Sequence, residues 1–178
     1  MFQTLIASVT VGSGGATSID FTSIPGTYTD LTLVYSLRTT AAATGDSPRV
    51  QVNADGGTNY ISPRYLQGDG TTISVSGGAA SSTFFFDIQG ATGANATTST
   101  FSNGQIVFLN YASTSARTLV MDNVTENNAA QAYQVVGGAT YSGASAITSI
   151  SLYNVTFAQY STAYLYGTLK GSGGATAA

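Results

Sequence analysis

The chain has 178 residues with 5 Lys+Arg and 8 Asp+Glu, so only 7% are charged against roughly 25% in an ordinary soluble domain. It has no His, Cys or Trp, which removes Cys/His zinc sites, Ser–His and Cys–His proton relays, thiol redox chemistry and disulfides. A net charge of −3 argues against the clustered Lys/Arg footprint that holds a nucleic acid.

Ser and Thr make up more than a quarter of the chain, while the strong helix formers Glu, Lys and Met are nearly absent and Val, Ile, Thr, Tyr and Phe abound. No apolar run is long enough for a membrane-spanning helix. In chain order, strands are predicted at Phe2–Val11, Ser18–Ile24, Asp30–Arg38, Arg49–Asn53, Thr71–Ser76, Ser82–Gln89, Gln105–Tyr111, Thr118–Val124, Ala129–Val136, Ile147–Val155 and Ala163–Leu169. The alternation is clear in Asp30–Arg38, where Leu31, Leu33, Tyr35 and Leu37 share a face opposite Thr32, Val34, Ser36 and Arg38. In Thr118–Val124, Leu119, Met121 and Asn123 alternate with Val120, Asp122 and Val124, so apolar residues fall on both faces.

Gly12–Gly15, Pro25-Gly26, Gly56-Gly57, Gly77-Gly78, Gly90–Thr100 and Gly137-Gly138 are read as the breaks between these runs. The stretch Asn59–Leu66, which contains Pro63, is read as a helical turn or an irregular crossover. About eleven short strands with little helix give an all-β fold, a single jelly-roll-like antiparallel β-sandwich over residues 1–170. Residues 171–178 form a flexible Gly/Ala-rich tail. The loops Ala41–Pro48 and Gly90–Thr100 are long for hairpins, and either reach across a partner or lie loose on the surface.

Candidate chemistry is sparse. The carboxylates Asp20, Asp30, Asp46, Asp55, Asp69, Asp87, Asp122 and Glu126 mostly flank turns, where Asp caps backbone donors. A glycosidase needs two of them, and Asp87 with Asp122 are the pair that falls within strands. Asn53–Asn59 spaces oxygen side chains around glycines as a Ca²⁺ loop does, yet lacks the closing Glu, so a structural turn is the reading here. No catalytic, cofactor or metal-ligating set emerges. Tyr164 and Tyr166 share a face of the last strand with Thr168 and Lys170, opposite Ala163, Leu165, Gly167 and Leu169. One face is then core and the other an inter-subunit or ligand surface, with Tyr164, Tyr166, Lys170 and Gly171 as interface candidates.

Three stretches together resemble small virion proteins of tailed bacteriophages. Phe21–Leu33 (FTSIPGTYTDLTL) is similar to their SIP-x-T-Y-x-x-L-x-L opening. Gln51–Tyr60 (QVNADGGTNY), followed by Leu66–Gly70 (LQGDG), resembles their FNGDTGSNY … L-x-G-x-G segment. Ile147–Leu152 (ITSISL) and Tyr164–Gly167 (YLYG) resemble their I-x-S-I-x-L … LYG ending. Ala54 departs from the glycine usual between Asn and Asp, and Gly26 stands where Ala or Gln is common.

The resemblance implies a non-enzymatic β-sandwich carried on the particle. A short stand-alone chain of this kind is similar to capsid decoration (cement) proteins. The implied place is the capsid exterior of the virion, the implied partner the major capsid protein, and the implied state a homotrimer that stabilises the head. It supplies no catalytic residues and no cofactor, and implies no nucleic acid or membrane as partner. Related domains occur in tail and head fibres, so the alternative is a fibre-associated adhesin or carbohydrate-binding module that stacks exposed Tyr on host-surface glycan.

Overall fold

The computed structural model describes residues 3–68, 71–77, 90–126 and 132–169. Among them lie thirteen strands and no helix: β1 (Gln3–Thr10), β2 (Ile19–Phe21), β3 (Asp30–Leu37), β4 (Gly45–Asp46), β5 (Arg49–Val52), β6 (Tyr60–Gly68), β7 (Ile73–Gly77), β8 (Ala91–Thr92), β9 (Ser102–Phe108), β10 (Arg117–Glu126), β11 (Ala132–Tyr141), β12 (Ile150–Tyr153) and β13 (Thr162–Thr168). They make an antiparallel β-sandwich, as the period-two pattern requires, but the strands are shared out unevenly. One sheet has eight strands in the order β1-β13-β3-β9-β10-β11-β6-β7, a second has β2-β12-β5, and β4 pairs with β8.

Burial follows the alternation. Leu31, Leu33, Tyr35 and Leu37 of β3 are buried, and so are Ile106 and Phe108 of β9, Leu119 and Met121 of β10, and Ala163 and Leu165 of β13. They meet Ile19, Phe21, Val50, Val52, Ile150 and Leu152 of the three-stranded sheet in one core. Each large apolar side chain buried there contributes about 1.5–3 kcal/mol before entropy is charged against it. The N- and C-terminal strands β1 and β13 pair along their length, closing the chain on itself.

Three expectations need correction. Asn59–Leu66 is no helical turn or crossover: it runs into β6, which pairs with β11 on one side and β7 on the other. Pro63 is accommodated because the β6–β11 register slips there. Arg64 faces Gly138 and Ile61 faces Thr140, so Ser62 and Pro63 together oppose Ala139 in a bulge that makes no demand on the missing N–H. Gly137-Gly138 is not a break either, since both residues lie inside β11, opposite Met121 and Val120 of β10. The long loops find each other. Ala41–Pro48 and Gly90–Thr100 pair through β4 and β8, and Ala94 and Asn95 donate backbone N–H bonds to the Ala41 and Ala43 carbonyls at 2.8 and 3.0 Å. The strand predicted at Ser82–Gln89 and the tail at 171–178 lie outside the described residues.

Phe21–Leu33, Gln51–Tyr60, Ile147–Leu152 and Tyr164–Gly167, which carry most of the family resemblance, meet in space beside neighbouring strands of the same sheet. Ile24 N–H donates to the Thr148 carbonyl at 2.9 Å. The Asn53 side chain accepts from the N–H of Thr148 at 2.8 Å and of Ser149 at 3.2 Å, and donates to the Ala146 carbonyl at 2.9 Å. The Tyr28 ring lies directly on Gly167, where a Cβ would come within 2.3–2.6 Å of the ring carbons. Tyr111 donates its hydroxyl to the Pro25 carbonyl beside it.

Asn53 and Ala54 follow one another in the left-handed region, at φ 52° and 50°. Asn tolerates this conformation; Ala does so at a cost of about 1–2 kcal/mol. Ala54→Gly is therefore expected to raise stability by about 0.5–1 kcal/mol, the added unfolded-state freedom offsetting part of the gain. Urea unfolding at constant slope checks it.

Candidate interaction surface

The carboxylates among the described residues are held separately, each by its own partners. Asp55 is the most heavily used. Its Oδ1 accepts the Gly57 N–H at 2.8 Å, and its Oδ2 accepts Asn59 Nδ2 at 2.8 Å and the Tyr141 hydroxyl at 2.6 Å. Those bonds, that of Tyr141 foremost, hold its carboxyl below the ordinary carboxylate range. Burial and the Asp55 bond in turn push the Tyr141 phenol up to about 12. The other face of Tyr141 carries Arg117, whose guanidinium carbon lies 4.7 Å from the ring centroid. Arg117 is only 1% exposed and donates to the Ser113 and Gly143 carbonyls. Tyr60, tilted against Tyr141 at 5.2 Å, completes the cluster by donating to the Val52 and Asp55 carbonyls at 3.1 and 3.0 Å. The Asn53–Asn59 turn is thus pinned to β11 and to the segment before β12 by its own side chains, which accounts for the Ca²⁺-like spacing.

A pH dependence follows from Asp55. Its folded pKa is depressed, so its contribution is full above the unfolded value of about 3.9 and is lost as pH falls through the folded value. Asp55→Asn should lower the melting temperature at pH 7 and flatten its decline between pH 4 and pH 2, measured by thermal melts across that range.

Asp30 accepts the Asn110 N–H at 2.8 Å, Asp20 accepts from Ser151 at 2.6 Å and also from Ser18, and Asp46 accepts the Ser47 N–H at 2.8 Å. Glu126 accepts from Thr97 at 3.0 Å and Thr100 at 3.2 Å. Arg38 donates to the carbonyls of Thr97, Thr100, Ala94 and Ala96 between 2.8 and 3.3 Å, so one guanidinium holds the Gly90–Thr100 loop against β3. Asp122 lies on β10 facing outward, and Asp87, like Asp69, lies outside the described residues. Among the described residues no three of His, Cys, Asp or Glu gather as metal ligands.

The feature that stands apart is the outer face of the eight-stranded sheet. Ladder registers align one row across it: Val75, Leu66, Val136, Asp122, Gln105, Val34, Tyr164 and Ser8. A flanking row holds Val120, Val107, Thr32, Tyr166 and Leu5. Val75 is 72% exposed, Ile73 77%, and Leu66, Val120, Val124 and Val136 about half. The Gly137-Gly138 pair leaves a hollow of about 340 Å³ between Tyr65, Leu66, Val75 and Val136. No family model, curated protein or solved structure matches the chain. The surface must be read from its own chemistry.

Of the residues singled out from the sequence, Tyr164 and Tyr166 stand on this face, Tyr164 exposed and Tyr166 half-buried, while Ala163, Leu165 and Gly167 point into the core. Lys170 and Gly171 lie outside the described residues. The valines of β10 and β11 were the stronger signal. Val120 and Val124 alternate with core residues in the sequence, an apolar outer face already visible there but without any indication that it would stay uncovered.

Proposed function

We propose that this chain is a structural protein of a tailed-phage virion, of the capsid decoration type, which binds the outer shell as a trimer and bridges major capsid subunits. The observation that carries the reading is the convergence of the resembling stretches: Ile24 and Asn53 both bond to Thr148 at the end of the three-stranded sheet, and Tyr28 packs on Gly167 of the larger one. Shared residues of that kind describe a shared scaffold, and a stiff antiparallel slab with a broad face of low charge suits a protein whose task is grip. Several modest contacts per trimer add up to tight retention through multivalency, and closed threefold symmetry matches a threefold lattice position.

Antibody against the purified protein should label intact particles over the whole head, and light scattering after size exclusion should give three times the 18.1 kDa chain mass. A strict monomer that labels no particle overturns the reading. Label confined to the tail tip supports the second reading, a fibre-associated module that stacks on host-surface glycan. That reading is favoured by Tyr160, 66% exposed, and by the exposed ring of Tyr164.

A further inference from the structure

We infer that the outer face of the eight-stranded sheet, centred on Asp122, is the docking surface for a protein partner whose own surface is apolar there and presents one arginine or lysine to that carboxylate. The inference rests on the capsid reading for its partner and goes beyond it by naming the face and the chemistry it selects.

Area comes first. Eight strands about 4.8 Å apart, with seven residues each rising about 3.4 Å, cover on the order of 900 Å². A stable protein interface takes about 800 Å² from each partner, so this face is large enough to hold one unaided. Exposed apolar patches mark interaction sites on soluble proteins, and this face carries one at Ile73, Val75, Leu66, Val120, Val124 and Val136.

Charge then decides the occupant. Asp122 stands near the middle of the face, with Val120 and Val124 two positions away along β10 and Val136 opposite on β11. It is steadied by Gln105 Nε2, which donates to its Oδ2 at 3.1 Å. Anything that covers the valines also removes Asp122 from water. A carboxylate so covered is costly unless a cation meets it. A second copy whose twofold axis passed through Asp122 would bring two Asp122 carboxylates together, which disfavours that pairing. A partner with a basic side chain set in apolar surroundings satisfies both terms, and the charge pair fixes its register.

The test uses the full chain and phage particles stripped of it, with rebinding read as bound protein per particle across a concentration series. The unaltered protein should rebind saturably. Asp122→Lys and Val120→Asp should each weaken rebinding at least tenfold, and Asp122→Asn by less. Ser13→Asp, in the exposed loop between β1 and β2, should bind as the unaltered chain does. Thermal melts confirm that each variant is folded; should Val120→Asp fail to fold, Asp122→Lys and Asp122→Asn carry the test alone. Outer-face variants that rebind normally overturn the inference and leave the capsid reading standing. Failure of the unaltered chain to rebind overturns both. Self-association in solution that Val120→Asp abolishes, with particle binding untouched, assigns the face to a second copy and overturns the inference.

Discussion

Gly104→Ala is expected to cost about 3 kcal/mol or more. A Cβ at position 104 would lie 2.5 Å from the Asp122 carbonyl oxygen and 2.6 Å from the Tyr35 hydroxyl. The first of these is backbone in the middle of the β9–β10 ladder and has nowhere to go. Tyr35 is 2% exposed, and its ring reaches across Gly104 because no side chain stands there. Its hydroxyl is buried without a hydrogen-bond partner, and burial pushes its pKa well above the ordinary phenol value. Tyr35→Phe is therefore expected to be neutral or slightly stabilising, since it removes a desolvated hydroxyl and leaves the ring. In the double variant the Asp122 carbonyl clash persists, so most of the Gly104→Ala loss should remain. Urea unfolding of the two single variants and the double variant measures all three. A loss under 1 kcal/mol for Gly104→Ala would mean that β9 and β10 are not packed as described.

Arg117→Ala should cost about 3–4 kcal/mol. The guanidinium is fully enclosed, and burial lowers its pKa. It satisfies carbonyls on two separate loops, at Ser113 and Gly143, while lying over the Tyr141 ring. Truncation leaves those carbonyls without a donor and opens a large cavity. Arg117→Lys should recover less than half of the loss, because an ammonium cannot reach both carbonyls with a planar fork and stack on the ring at once. Tyr141→Phe removes the hydroxyl bond to Asp55 yet keeps the ring beneath Arg117, so about 1–2 kcal/mol is expected. A double-mutant cycle on Asp55 and Tyr141 should show coupling, because each single change already breaks the same bond.

The sequence showed clearly which side chains would be buried wherever a strand alternates cleanly. In Asp30–Arg38 the alternating row Leu31, Leu33, Tyr35 and Leu37 is the buried one, whereas Thr118–Val124 reads as apolar on both faces and its core side is not legible in the sequence. It misled where local residues and long-range pairing disagree. Pro63 reads as a strand breaker until β6 is seen to bulge there against β11, and Gly137-Gly138 reads as a turn until β10 and β6 flank it on both sides. Arg38, placed by alternation on the outer side of β3, gave no sign that it would gather four carbonyls of a loop some sixty residues away. Asp55 was legible as a turn residue, and its bond to Tyr141 was not.

What the sequence determined by itself was therefore the material: period-two strands, a hydroxyl-rich low-charge surface, and a residue set without imidazole, thiol or indole. Those properties are local or compositional and need no partner strand to be read. The tertiary structure alone decided how the strands were divided, eight in one sheet and three in the other. It thereby decided that one face of the larger sheet packs in the core while the other remains open around Asp122. An alternating strand offers two faces of nearly equal apolarity when both carry valines, and which of them is covered depends on what the rest of the chain lays against it.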